Sequence, residues 1–307
     1  MNKLISKSLS LVIPCHNEES NIEKTFQIYD DIIKKMFKKK NISDYEIIAV
    51  NNGSTDNTLV KLKQFKKNKM KVINLDKNYG YTSSYLAGIY VANFEMIITV
   101  TADLHEDPYK IQEMVDKHYS TQNNILGVYQ VRHDTILKNF FANSFYKFIK
   151  LVDIKSLYHH ADFRLITNET KSRIFLKKRP FIFLRFLILK ITNDYDIVEY
   201  SGNKRLKDKS KFNYISSLKM AIDSIIYYGN IKKLNILLNT IYIIFSFIIF
   251  YAIYLFFMSN FINIIIFSLI YFAIYIFFYF TVKNIINKRK SGLNIFKNLF
   301  HIKEIIK

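Results

Sequence analysis

Cysteine, proline and glycine are scarce in this chain: one, three and seven residues respectively among 307. The single thiol, Cys15, excludes an internal disulfide and fits a reducing compartment. No G-x-G-x-x-G or P-loop pattern follows the first apolar run, so neither a hydride-transfer fold nor a P-loop ATPase is supported. Carboxylates are also outnumbered, 25 Asp+Glu against 45 Lys+Arg, for a net charge of +20. That surplus implies an anionic partner, whether nucleic acid, a phosphorylated small molecule or an anionic lipid surface. No signal peptide is expected, because the apolar run after Lys7 is short and breaks at Pro14.

Charge is missing altogether from Leu234 to Val282. The runs 234–258 and 261–282 are each long enough to cross a hydrocarbon core of ~30 Å as helices, with Ser259-Asn260 as a polar turn between them. Lys232-Lys233 precede the pair and Lys283, Lys288, Arg289 and Lys290 follow it. The expectation is a two-helix transmembrane hairpin in the cytoplasmic membrane, with the catalytic part and both termini on the cytoplasmic side. This makes a nucleic-acid partner improbable despite the charge.

What is present upstream is a regular alternation. Leu9–Cys15, Tyr45–Val50, Met70–Leu75 and Met96–Val100 read as buried strands. Helices are expected from a Ser20-Asn21-Ile22-Glu23 capping box to about Phe37, after Asp56, and over Tyr81–Asn93. Alternating strand and helix predicts a doubly wound α/β domain with a largely parallel sheet, whose strand ends carry Glu18, Asn51, Asn52 and Asp103. Carboxylates and amides there suit ribose hydroxyls, a base edge and a divalent cation held against a diphosphate. Asp103 and Glu106 can alternatively cap the helix that starts near Pro108. His159-His160 reads as a structural pair, since strand neighbours face opposite ways.

Seven blocks in order carry a resemblance: SLVIPCHNEE at 10–19, NNGSTDNT at 51–58, NYG at 78–80, TADLHEDP at 101–108, GVYQVR at 127–132, ADFRL at 161–165 and RLKDKSKF at 205–212. They resemble glycosyltransferase family 2, and within it the polyprenyl-phosphate glycosyltransferases of the dolichyl-phosphate-mannose-synthase-like group, over roughly residues 8–230. The resemblance implies a GT-A fold that moves one sugar from a nucleotide-sugar donor to a polyprenyl phosphate acceptor, with inversion and with Mg²⁺ or Mn²⁺ as cofactor. It places Pro14, His16, Glu18, Val50 and Asn51 at the nucleoside, and Ala102, Asp103 and His105 at the diphosphate and metal, with Asp103 and His105 as metal ligands. Arg132, Arg205 and Lys211 fall on phosphate-contacting positions, and Asp162 on a candidate catalytic aspartate. Processive relatives use a tryptophan-containing acceptor motif, and this chain has no tryptophan.

The chemistry of the residues agrees. A phosphate monoester is already an anionic nucleophile at neutral pH, so such a site needs cations more than a base, and Arg132, Arg164, Arg205 and Lys211 are candidates. With Asp162, Arg164 completes the expected catalytic pair. Four departures stand out. Thr101 occupies the first position of the usual D-x-D, His105 replaces a glutamine, Asn51-Asn52 replace an acidic pair, and Asp208-Lys209 replace Gly-Glu. His105 can ligate Mn²⁺ or donate to a phosphate. Thr101 and the asparagines keep a second reading open, a catalytically weak relative that binds nucleotide-sugar or lipid phosphate as a scaffold.

The expected organisation is a catalytic domain over 1–170, juxtamembrane amphipathic helices and a substrate loop over 171–231, the hairpin within 232–290, and an amphipathic cytoplasmic tail over 291–307. Basic and aromatic residues alternate in 174–190, which suits either membrane lipid or packing against the α/β domain. Homo-oligomerisation is left open.

Overall fold

The computed structural model describes residues 7–130, 136–176, 182–192, 194–202, 214–257 and 300–306, with positions 273, 276, 277, 280 and 284. The first half alternates as expected: β1 (Leu9–Cys15), α1 (Ile22–Lys38), β2 (Tyr45–Asn52), α2 (Thr58–Phe65), β3 (Met70–Leu75), α3 (Tyr81–Val91) and β4 (Met96–Thr99). It continues through α4 (Lys110–Thr121), β5 (Asn124–Tyr129), α5 (Ile136–Leu151), β6 (His160–Thr167), α6 (Asn168–Leu176), α7 (Leu184–Ile191) and β7 (Tyr195–Tyr200). Last come α8 (Tyr214–Tyr228), α9 (Ile231–Phe257) and β8 (Ile302–Ile306).

Among the described residues the strands form one sheet in the order β7-β5-β6-β4-β1-β2-β3-β8. β1 lies parallel to β2 and β4, β2 to β3, and β5 to β7. β6 runs antiparallel to β4 and β5, and β8 antiparallel to β3. The sheet is therefore mixed: β1 to β4 form the parallel part expected from the alternation, and β5 and β7 add a second parallel pair at the far edge.

Strand alternation explains the two cores. Leu9, Leu11 and Ile13 of β1 face α1 and α4, joining Phe26, Ile33 and Met114. Val12 faces the other way, with Val50, Leu86, Ile97 and Leu187, so both faces of the sheet are covered at β1. α3 lies close on that second face. A Cβ at Gly88 would fall 2.2 Å from Val12 Cγ1 and 3.1 Å from Val50 Cγ2, so only glycine allows this approach.

The fold extends past residue 170. β7 pairs in the sheet, and Ile174, Leu184, Phe186, Leu187 and Ile188 of α6 and α7 are buried in the second core. The described residues of this basic and aromatic stretch thus pack on the domain. The final residues, expected as part of an amphipathic tail, form the edge strand β8, whose Ile306 packs against the first core. The Ser20–Glu23 capping box does not form. Asn21 occupies the N-cap of α1 without a side-chain cap bond, and its amide donates to Glu18 Oε2 at 2.6 Å.

The multi-pass membrane location is overturned: among the described residues, no helix is long and apolar enough to cross a membrane. α9 follows the first expected span, but its opening turns belong to the domain, with Leu234 buried and Leu237 packed against the second core. Beyond Lys233, Asn235, Asn239 and Thr240, residues 241–257 make only about 26 Å of helix against ~30 Å of hydrocarbon. The second expected span, 261–282, lies almost wholly outside the described residues.

Gly88→Ala is expected to destabilise the domain by about 1–3 kcal/mol, because the new methyl must displace Val12 in a packed core. A urea midpoint measured by far-UV circular dichroism checks this; an unchanged midpoint contradicts the packing described.

Candidate active site

The carboxyl ends of β1, β2, β3 and β4 present their loops on one edge of the sheet, and the first two loops are sewn together. Asn17, at φ 54°, accepts the Thr55 N–H at Oδ1 (2.9 Å) and gives its own N–H to Ser54 Oγ (3.1 Å). The Glu18 N–H reaches Thr58 Oγ1 at 2.8 Å, and the Glu19 carboxylate accepts the Asn57 N–H at 3.0 Å. Asp56 accepts the Thr58 N–H at 3.0 Å in the turn before α2, whose N-cap position is Asn57 and makes no side-chain cap bond. His16 Nδ1 lies 2.9 Å from the Asn52 carbonyl, which can only accept, so Nδ1 carries the proton. Its Nε2 then accepts from Asn78 Nδ2 at 3.0 Å.

The two asparagines in place of an acidic pair hold the end of β3. Asn51 Nδ2 donates to Asn74 Oδ1 at 2.8 Å, and Asn52 Nδ2 donates to Asn78 Oδ1 and the Gly80 carbonyl, both at 3.1 Å. Asn52 Oδ1 accepts the Tyr79 N–H at 3.0 Å. A carboxylate at either position has no hydrogen to give and would face another acceptor. Gly53 (φ +59°) passes so close to the β3 turn that a Cβ would sit 2.3 Å from the Lys77 carbonyl carbon. Pro14 is half-buried on this edge. Val50 is fully buried beside α3.

After β4 the chain turns sharply, with Leu104 at φ 54°. The Ala102 carbonyl is pinned by Thr25 Oγ1 at 2.7 Å, and the Thr101 carbonyl by Tyr29 Oη at 3.3 Å. Thr101 Oγ1 hydrogen-bonds both Asp103 Oδ1, at 2.6 Å, and Glu106 Oε2. A hydroxyl has one hydrogen and cannot serve two carboxylates. The chain closes when Glu106 is protonated and donates to Thr101, which donates to Asp103. Burial pushes Glu106 up to about 7, hydrogen bonds that Thr101 can donate to the ionised carboxylate restrain the rise, and the Asp103 charge adds to it. Glu106 is therefore a buried partner of the Asp103 loop, while Asp107 accepts the Tyr109 N–H at 3.0 Å ahead of α4, whose N-cap position, Tyr109, makes no side-chain cap bond. The His105 ring rests 5.3 Å from that of Tyr129, beside Gly202, where a Cβ would come within 3.3 Å of His105 Cε1.

The antiparallel β6 brings Asp162 to the same edge; its carbonyl accepts from Thr99 Oγ1 at 2.6 Å. Arg164 Nη2 binds Asp162 Oδ1, while Arg185 of α7 reaches Oδ2 with Nε (3.2 Å) and Nη2 (2.5 Å). Burial alone would raise the Asp162 carboxyl, but the charges of Arg185 and then Arg164 more than reverse this and hold it well below the usual carboxylate range. Asp162 is ionised and saturated, so it is no proton acceptor. Arg164 is wholly buried, and its Nε and Nη1 have no partner among the described residues. His160 beneath them is kept neutral by burial and by both guanidinium groups. His159 instead donates Nδ1 to the Tyr129 carbonyl at 3.0 Å, in keeping with a structural pair.

Arg185 and Glu106 were not legible as site residues. Arg185 sat in a basic and aromatic stretch with no motif, and only the docking of α7 against β6 reveals it. For Glu106 the one available signal was a second carboxylate three residues after Asp103. Arg132, Arg205 and Lys211 lie outside the described residues.

Residues 10–184 match Glycosyl transferase family 2, which is more than half of the chain. The chain belongs to this family. It is a glycosyltransferase with a GT-A-like α/β fold on a mixed sheet. The uncharacterized glycosyltransferase YkoT of Bacillus subtilis is 28% identical over 223 residues, covering 71% of this chain and 66% of the relative. The uncharacterized glycosyltransferase sll0501 of Synechocystis sp. is 31% identical over 221 residues, covering 71% and 68%. A bactoprenol glucosyl transferase of Shigella phage SfV is 25% identical over 221 residues, covering 71% and 70%. The match thus spans about two thirds of the length of these relatives. Among solved structures, the mannosyltransferase PcManGT of Pyrobaculum calidifontis, in complex with GDP-Man and Mn²⁺, is similar with a TM-score of 0.47 at 13% identity, covering 74% of this chain and 64% of its own.

Glu106 is a carboxyl raised above its unfolded value, so the folded state binds the extra proton and stability falls as pH rises from about 4.5 to about 7. Relative to the parent, Glu106→Gln should gain of order 3 kcal/mol between about pH 5 and about pH 8, read from urea midpoints at the two pH values. A pH-independent difference would refute the protonated state.

Asp162→Asn leaves a buried arginine without its counter-charge and should cost about 3–5 kcal/mol, whereas Arg185→Met, which keeps the Asp162–Arg164 pair, should cost less. Urea midpoints in the reverse order would show that the α7 contact is the dominant one.

Proposed function

We propose that this glycosyltransferase transfers a single sugar, nonprocessively and with inversion, from a nucleotide-sugar to a polyprenyl phosphate. The observation that carries the reading is the state of Asp162. A carboxylate held ionised by two guanidinium groups cannot take a proton from a sugar hydroxyl, and a phosphate acceptor does not ask it to. The bactoprenol glucosyl transferase among the relatives supports the same acceptor class.

In this reading an oxygen of the acceptor phosphate forms a bond to the anomeric carbon while the bond from that carbon to the diphosphate oxygen breaks. The electron pair leaves with the nucleoside diphosphate. Pro14, His16, Glu18, Asn51 and the main chain of Val50 border the nucleoside, and Ala102, Asp103 and His105 the diphosphate. Arg132, Arg205 and Lys211 contact phosphate, and Arg164 acts through Asp162.

Among the described residues no three His, Cys, Asp or Glu side chains gather as a metal cage. Asp103, with His105 on the same turn, instead fits Mg²⁺ or Mn²⁺ that takes its other ligands from diphosphate and water. When bound, the cation would offset charge on the departing diphosphate. The Thr101 bond to Asp103 Oδ1 favours one further reading, a weakly catalytic nucleotide-sugar binder, because it competes with a cation for that oxygen.

The test is a donor screen with polyprenyl phosphate and Mn²⁺, read by mass spectrometry of the lipid product. One donor should give a single-sugar product, and Asp103→Ala should lower the rate by about 10²-fold or more. Nucleotide binding without product from any donor would favour the binder, and a fully active Asp103→Ala would remove the metal assignment.

A further inference from the structure

α3 starts at the edge of the donor loops and carries two tyrosines one turn apart, Tyr81 and Tyr85. The Asn52 side chain holds the turn in front of them through the Gly80 carbonyl, and Ser84 Oγ closes the first turn on the Tyr81 carbonyl at 2.7 Å. Tyr85 is buried in the second core, where its hydroxyl donates to the Val100 carbonyl, just past β4, at 3.1 Å. Tyr29, in the core on the other face of the sheet, takes the next carbonyl, that of Thr101. Tyr81 adds a further phenol outside Tyr85. The two oxygens lie 3.0 Å apart and the rings meet edge to face at 4.8 Å, and Tyr81 is 37% exposed where Tyr85 is buried.

The inner end of this chain fixes its direction. A carbonyl only accepts, so the one hydrogen of Tyr85 goes to Val100, and the hydrogen between the two phenols comes from Tyr81. Tyr81 therefore turns only lone pairs outward. Burial and then the Asp162 charge hold its phenol well above the ordinary range, so it stays protonated and keeps this direction. With Asn52 and Gly80 on one side and the Asp162–Arg185 pair acting on it from the other, Tyr81 stands between the donor loops and β6. A Cβ built on Gly80 meets nothing within 4 Å among the described residues, so there is room in front of α3. An ionised phosphate oxygen placed there has no hydrogen to give and would face another acceptor, whereas a sugar hydroxyl has one. We infer that Tyr81 is a specificity-determining residue, its Oη accepting a hydrogen bond from a hydroxyl of the sugar that the nucleotide carries. This rests on the donor class proposed above and deepens it: the sugar is selected by a hydroxyl it must possess, and one deoxygenated at that carbon loses the contact.

Calorimetric titration of the full chain in Mn²⁺ with UDP-glucose, UDP-N-acetylglucosamine and GDP-mannose, set against UDP and GDP, tests the inference. For the nucleotide-sugar that binds tightest, Tyr81→Phe should weaken binding by about three- to tenfold and leave its nucleoside diphosphate unchanged. Among the monodeoxy forms of that sugar, one should bind the parent more weakly by the same factor and lose nothing further with Tyr81→Phe. Tyr85→Phe separates packing from recognition. It strips the Val100 carbonyl of its donor, so it should lower the urea midpoint more than Tyr81→Phe does, yet keep the preference for nucleotide-sugar over diphosphate. Unchanged nucleotide-sugar binding by Tyr81→Phe, or equal weakening of the diphosphate, overturns the sugar contact, as does a further loss with every deoxy sugar. Binding is read without the acceptor, so this discrimination without lipid product would remove the acceptor class alone. No binding by any of the three nucleotide-sugars would remove the donor class and the contact with it.

Discussion

A wholly buried guanidinium in the middle of a sheet is tolerable only if its charge is met, and Arg164 is met by Asp162. That requirement organises the second half of the molecule. Asp162 must be ionised, which brings a second cation from α7, and the Arg185 contact docks that helix across β6. The docking in turn buries Leu184, Leu187 and Ile188 against the sheet. Replacing such a cluster by apolar residues is often no less stable, so its value lies in fixing where α7 sits and which charge faces the site. A carboxylate used this way serves as a fixed electrostatic support and has no part in moving protons.

The donor side is built differently, mainly from amide and backbone hydrogen bonds between loops. Asn17, Asn51, Asn52, Asn57 and Asn78 tie the ends of β1, β2 and β3 together, with the Glu19 carboxylate taking the Asn57 N–H. Asparagine suits this because it donates and accepts from the same side chain and tolerates the left-handed backbone seen at Asn17. Substituting an acidic pair by Asn51 and Asn52 thus has a structural cause inside this chain.

Much of the parallel half was legible because it is written in short apolar runs: β1 and β3 begin and end where those runs place them. What was not legible depends on contacts distant in sequence. The antiparallel course of β6 and the placement of Arg185 need the sheet order, which no local pattern encodes. Asp103 and Glu106 both read as caps in the sequence, and the structure instead buries Glu106 against Thr101 across the turn at Leu104. The uncharged run after Leu234 read as a membrane hairpin because composition cannot tell that Leu234 and Leu237 are spent on the domain's own core.

β8 closes the edge of β3 with residues that follow it by more than two hundred positions in the chain. While the polypeptide is emerging from the ribosome, that edge has no partner and offers open backbone donors and acceptors to any passing strand. A nascent chain of this kind depends on a strand made much later, Ile302–Ile306, to become sealed against self-association.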